Sequence, residues 1–323
     1  MIGAILVAVV VLLALAYKGG RWLETRNANP ETRGDYQLRQ LYQSTIDVDG
    51  VTYRLRDDVT TILLMGIDQD SSAAITGYRN GGQADFLQLM VIDESAKTVT
   101  RLQIDRDTMT PITVLGVLGD VSGERVAQIS LSHGFGDGGQ QSCELTVDAV
   151  SNLLMDVPID EYMAMNLDGI SVLNDAVGGV TVTLEDDFSA LDPAMTPGTT
   201  LTLIGDQAEI YVRSRMNIGI GTNEARMKRQ QQYISQLADQ LDGRIHQDQE
   251  FIGTLYDELE PYLVTSISRG RLINVVWNSR DYEQSQAELA GNHRVGSDGF
   301  MQFYTDETVL QQTVLDLFYQ KVE

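Results

Sequence analysis

Thr60-Thr61-Ile62-Leu63-Leu64-Met65-Gly66-Ile67-Asp68 is the stretch on which the fold turns. A short apolar run ending in glycine and an acid reads as a buried strand. A polar, Gly-rich loop follows, Gln69 to Ala84. Two more strands, Phe86 to Asp93 and Thr98 to Ile104, are joined by Glu94-Ser95-Ala96-Lys97, which is a hairpin signal. A second hairpin is predicted within Ile112 to Ile129, then a loop at His133 to Gly139. Helices are predicted at Ser142 to Met155, Gly169 to Ala176, Gly205 to Arg213 and Asn223 to Leu241. Strands are predicted at Tyr162 to Asn166 and Val180 to Leu184, and Asp186 to Thr200 reads as a Pro/Gly loop. The last third adds helices near His246–Leu259, Arg269–Asn278 and Thr305–Tyr319, with a hairpin of Ala287–Arg294 and Phe300–Tyr304. Strands alternating with helices predict an α/β fold, a three-layer α/β/α sandwich around a central mixed β-sheet.

The chain has 323 residues, 43% hydrophobic and 21% charged, which supports a packed core and argues against disorder. It carries 23 Lys and Arg against 46 Asp and Glu, a net charge of −23. Nothing resembles a basic stripe long enough to follow a backbone, which argues against nucleic acid as a partner. The one cysteine, Cys143, forbids an internal disulfide and reads as a small residue at a helix start. His133, His246 and His293 lie far apart in sequence, without the spacing of a zinc site.

Ile2 to Tyr17 is an uninterrupted apolar run. As a helix it spans ~24 Å at ~1.5 Å per residue, against ~30 Å for a bilayer core. No cleavage site follows, so residues 1–17 are expected to be a single transmembrane anchor. Residues 18–57 read as a linker or stalk, partly helical around Tyr36 to Tyr42, and 58–323 as the globular domain. Lys18, Arg21, Arg26 and Arg33 all follow the run, which by charge alone places the body in the cytoplasm. A gene start placed too far downstream would account both for this and for the lack of a basic segment ahead of the run.

Acids stand at predicted strand ends, where ligands sit in α/β sheets: Asp68, Asp85 and the pair around Arg106, Asp105 and Asp107. If the first two strands are neighbours, Asp68 and Asp85 can share a hard cation. Each has a plainer reading as a strand terminator, and Arg106 between two acids as a surface ion pair. Four arginines crowd into Tyr211-Val212-Arg213-Ser214-Arg215 and Arg226-Met227-Lys228-Arg229-Gln230. Guanidinium forks fit phosphate oxygens in pairs, and a solvated helix face with local ion pairs is the other reading. Arg213 and Arg215 diverge by ~200° on one continuous helix, so for both to reach one ligand the helix must end near Arg213. Arg226 and Arg229 are three apart and share a helix face. The Gly219/Gly221 loop would let the two pairs close on one group.

Ile62 to Asp68, Gly82-Gln83-Ala84-Asp85 and Gln103-Ile104-Asp105-Arg106-Asp107-Thr108 resemble the opening motifs of the LytR-CpsA-Psr proteins. Those read roughly apolar-Leu-Gly-x-Asp, Gly-Arg-Ser-Asp and Ser-Ile-Pro-Arg-Asp. Asp175 to Val180, Gly205-Asp206-Gln207-Ala208, Tyr211 to Arg215 and Arg226 to Gln231 continue the series in order, over about residues 59–242. The resemblance implies an anchored domain outside a Gram-positive-type cell. It implies transfer of an anionic glycopolymer from an undecaprenyl-pyrophosphate carrier to a peptidoglycan hydroxyl. Asp68 and Asp85 would hold Mg²⁺ or Mn²⁺. Arg106, Arg213, Arg215, Arg226 and Arg229 would bind the pyrophosphate, with Gln230 lining the site and Asp107 beside it.

The departures are Gln83 for the motif's arginine, Gln103 and Asp105 for its serine and proline, and Asn223 for an acid. Arg79 lies in the same loop as Gln83 and is a candidate substitute. Residues 243–323 carry no matching motif and read as a C-terminal extension. Two competing functions use these residues differently: a non-catalytic protein that binds the carrier or cell-wall glycan, and a pyrophosphatase whose acceptor is water.

Overall fold

In the computed structural model the described residues are 45–69, 81–214, 218 and 223–322. Strands β3 (Val59–Ile67), β4 (Ala84–Asp93) and β5 (Thr98–Ile104) form the middle of a six-stranded sheet. β8 (Glu161–Met165) and β11 (Leu263–Thr265) extend it on one side and β12 (Glu283–Glu288) on the other, in the order β11-β8-β3-β4-β5-β12. β3 runs antiparallel to β4 and parallel to β8, and β12 runs parallel to β5, so the sheet is mixed as expected.

All ten residues of β4 are buried, and β3 is buried from Thr61 to Ile67. A strand reads as a continuous apolar run only when both of its faces are covered. Alternation then sends Ile62 and Leu64 to one face and Leu63 and Met65 to the other. On the first face they meet α3 (Gly169–Ala176), α4 (Asp206–Arg213), α5 (Asn223–Gln247), α6 (Gln249–Leu259) and α7 (Arg269–Ser279). On the second they meet α2 (Gln140–Leu153) and α8 (Glu307–Phe318). The Asp306 carboxylate starts α8 by accepting from the N–H groups of Thr308 and Val309 at 3.0 and 3.1 Å. A four-residue helical turn, α1 (Leu131–Gly134), leads into α2.

Outside the main sheet, β6 (Met109–Leu115) pairs with β7 (Val121–Gln128), β9 (Val180–Thr183) with β10 (Thr200–Leu203), and β13 (Gly291–Val295) with β14 (Met301–Thr305). The C-terminal hairpin thus begins at Gly291. Ala287, read as part of its first arm, lies in β12 at the sheet edge.

Residues 45–55, within the stretch read as a stalk, form the hairpin β1 (Thr45–Val48) and β2 (Val51–Leu55). β2 also pairs with β15 (Tyr319–Lys321), so this hairpin is fastened to the C-terminus of the domain. Its turn is Asp49-Gly50, with φ of 51° and 77°, the two positive values that a tight hairpin turn requires. The expected anchor Ile2–Tyr17 and the helical stretch Tyr36–Tyr42 lie outside the described residues. Among the described residues no helix is long and apolar enough to cross a membrane.

Candidate active site at the end of the central sheet

Ile67 of β3 faces Ala84 of β4, so Asp68 and Asp85 leave the same end of the sheet. The backbone N–H groups of both donate to one acceptor, the Gln83 carbonyl, at 2.9 and 3.0 Å. Asp68 is exposed, whereas Asp85 is 8% exposed. β5 returns antiparallel to β4, with Ile104 opposite Leu87, which brings the next turn to the same end. There Arg106 Nη1 lies 2.5 Å from Asp85 Oδ1, and Nη2 donates to Gln83 Oε1 at 2.5 Å. Gln83, where the motif has arginine, therefore acts as an acceptor for Arg106.

The turn itself is tightly specified. Asp105 Oδ1 accepts from the Asp107 N–H at 2.8 Å, and the Asp105 carbonyl accepts from the Thr108 N–H at 3.0 Å and its hydroxyl at 2.6 Å. The Asp107 carboxylate lies 3.7 Å from Arg106 Nε and accepts from Gln128 Nε2 at 2.8 Å. Burial raises the Asp107 pKa above the ordinary carboxylate range, and the Arg106 charge works against the rise. His293 Nε2 lies 2.8 Å from Asp105 Oδ2. Gln128 and His293 carry no signal in the sequence, since His293 lies 188 residues from its partner.

Gly81 and Gly136 are closely packed. A Cβ on Gly81 would lie 2.6 Å from the His133 carbonyl, and one on Gly136 would lie 2.6 Å from Ser142 Cα. The His133 ring faces the Gly82 carbonyl at 3.3 Å and Cys143 Sγ at 3.9 Å, and both side chains are buried. Burial lowers the His133 pKa and drives the Cys143 thiol far up, which disfavours the thiolate.

The arginine cluster divides. α4 ends at Arg213 and Ser214 is extended (φ −61°, ψ 131°), so the helix stops where a shared ligand requires. Arg213 pairs with Glu209 one turn earlier on α4. Arg229 is 5% exposed and is anchored on all sides. Its Nη1 lies 2.5 Å from Asp186 Oδ2, Nη2 donates to the Ser214 carbonyl at 2.6 Å, and Nε to the Tyr211 carbonyl at 3.4 Å. Its guanidinium lies 5.3 Å from the Phe188 ring centroid. Arg229, which the resemblance assigns to the pyrophosphate, ties α5 to the end of α4. Arg79 and Arg215 lie outside the described residues, as do the Gly219/Gly221 loop and the side chains of Arg226 and Gln230.

As a test for a divalent ion, Asp68 and Asp85 offer two carboxylates at the same end of the sheet, Asp68 open to solvent and Asp85 paired with Arg106. That suits Mg²⁺, which is usually held by one or two carboxylates and keeps waters for its other positions. Among the described residues no group of three or more His, Cys, Asp or Glu side chains is arranged to hold a metal. The donor chemistry fits a hard ion that takes its remaining ligands from phosphate.

The teichoic acid transferase TagU of Halalkalibacterium halodurans is 30% identical over 183 residues, 57% of this chain and 53% of that protein. The chain thus spans about half the length of that relative. TagU of Bacillus licheniformis is 24% identical over 319 residues, 97% of this chain and 92% of the relative. The crystal structure of Bacillus subtilis TagV superposes with a TM-score of 0.57 at 23% identity, over 81% of this chain and 98% of that one. The model of the LytR_cpsA_psr family matches residues 26–316, well past the motif series that ends near residue 242. β11 and β12 lie within this longer stretch and are strands of the central sheet. With ordered motifs, a shared fold and a match over most of its length, this chain belongs to the LytR_cpsA_psr family.

Proposed function

We propose that this chain is an envelope glycopolymer transferase that moves an anionic glycopolymer from an undecaprenyl-pyrophosphate carrier to a peptidoglycan hydroxyl. The observation that carries the reading is the convergence of Asp68, Asp85 and Arg106 on one end of the sheet around Gln83. The acceptor oxygen attacks the glycan-side phosphorus, the bond to the bridging oxygen breaks, and polyprenyl phosphate leaves. Phosphoryl transfer of this kind needs positioning and charge neutralisation more than covalent help. Arg106 would supply charge, and Asp107, whose pKa burial raises, would take the acceptor's proton. Asp68 and Asp85 would hold Mg²⁺ or Mn²⁺, which would neutralise pyrophosphate oxygens. Arg213, with Arg215, Arg226 and Gln230, would complete the grip on the pyrophosphate.

The relatives named as transferases support the reaction class. The family resemblance implies that the body would lie outside the cell on an anchor at Ile2–Tyr17, and a reporter fused at Glu323 that is active in the cytoplasm would refute that. A non-catalytic carrier-binding role is the second reading. It draws on one observation: Arg106 is already engaged by Asp85 and Gln83. The test is mass spectrometry of lipid co-purified with the full-length protein, with and without Mg²⁺, followed by incubation with peptidoglycan. Polyprenyl pyrophosphate-linked glycan should co-purify and then move to peptidoglycan. Retained lipid without transfer would favour the second reading, and no prenyl lipid at all would defeat both.

A further inference from the structure

We propose that the C-terminal hairpin β13–β14 is the positioning element of Arg106 and Asp107, with His293 as its fixing residue. Three connections from this hairpin converge on the turn Asp105–Thr108. The Phe303 N–H donates to the Asp107 carbonyl at 2.8 Å, and Phe303 forms a parallel bridge with Thr108. Gln128 Nε2 joins the Asp107 carboxylate at 2.8 Å to the Met301 carbonyl at 2.7 Å. His293 closes the set on Asp105 Oδ2 at 2.8 Å, its ring 4.7 Å from that of the buried Phe303.

Asp105 is the pivot. One carboxylate oxygen accepts from the Asp107 N–H and the other faces His293. A carboxylate held from both sides cannot rotate, so the backbone between Asp105 and Asp107, which carries Arg106, is held with it. The turn lacks the proline ring that would stiffen its motif counterpart, and this two-sided hold does the same work by hydrogen bonds. His293 is half exposed, so its contribution to global stability is small. Its effect falls on where Arg106 and Asp107 point. His293 is thus a positioning residue, and its catalytic relevance rests on the transferase reading above.

The test uses the full-length protein and three forms: wild type, His293→Ala and His293→Gln. Amide hydrogen exchange at Asp107 and Thr108, the urea midpoint, and affinity for geranylgeranyl pyrophosphate with Mg²⁺ are measured for each. In His293→Ala, exchange at Asp107 should quicken and affinity should fall about tenfold, because Arg106 is no longer held in its binding direction. The urea midpoint should not move. His293→Gln, which keeps an N–H donor, should recover most of both. Unchanged exchange in His293→Ala overturns the proposal, as does a drop in midpoint that accounts for the lost affinity. If wild type itself does not bind the probe, the transferase reading fails, while the exchange rates still decide whether His293 holds the turn.

Discussion

Arg106 and Arg229 each hold a carboxylate at 2.5 Å, yet the two pairs do opposite things. The Arg106 side chain is 29% exposed, and its partners Asp85, Gln83 and Asp107 all meet it through side chains. The Arg229 side chain is 5% exposed, and two of its partners are backbone carbonyls that cannot move without moving α4. Ion pairing alone therefore says little about role. The depth of the guanidinium and the kind of atom it binds separate a partly open guanidinium from one that holds the frame.

The sharpest way to break this contrast is Asp186→Ala. It leaves a guanidinium buried with no carboxylate opposite, and losing one partner of a buried pair costs about 3 kcal/mol or more. Urea unfolding should show that loss, and a stability within experimental error of wild type would mean that Arg229 is not the frame element described. Next in size is Arg106→Lys. The ammonium keeps its charge opposite Asp85, so stability should stay within about 1 kcal/mol. The planar fork is lost, and transfer should fall about 10²-fold, the scale of one missing transition-state donor. The same exchange at the other site, Arg229→Lys, should show the mirror image. One ammonium cannot serve Asp186, Tyr211 and Ser214 together, so about 2 kcal/mol of stability goes with two carbonyl contacts. Turnover per folded molecule should stay near wild type. If Arg229→Lys cuts turnover without loss of stability, the two arginines share a role and the contrast fails.

The two regions also differ in how much of them the sequence discloses. β3, β4 and β5 announce themselves because strands covered on both faces are apolar throughout. Their hairpin order places Asp68, Asp85 and Arg106 together with no further information. The end of α4 at Arg213 follows from the geometry that two arginines require of a shared ligand. The buried state of Arg229 does not follow, because Asp186 and Phe188, which enclose it, come from a loop more than 40 residues earlier. Helical spacing shows which residues share a face and not what lies against it. β12 is missed for a related reason: a polar, half-exposed edge strand, Glu283 to Glu288, has no apolar run to betray it. The β1–β2 hairpin is the one signal that was there to read, an Asp-Gly turn beside the alternation of Val51, Tyr53 and Leu55.

The smallest effect expected is also the one with a sign to check. Asp107 sits between Arg106, which favours its charged form, and burial, which opposes it, with burial the stronger. Its folded pKa is therefore raised, and the folded chain holds the Asp107 proton more tightly than the unfolded chain does. This contribution to stability is fully present below the unfolded carboxyl value, near 3.8, and is lost as pH rises through the folded value. Asp107→Asn keeps the side-chain oxygen that accepts from Gln128 but removes the charge. The stability of the variant relative to wild type should climb as pH rises from below 3.8 and level off above the folded value. Urea midpoints of both proteins between pH 3 and pH 7 measure this directly. A relative stability that falls with pH would mean that Arg106 outweighs burial. Arg106 would then behave toward Asp107 as Arg229 behaves toward Asp186, as a structural counter-ion with no charge to offer a substrate.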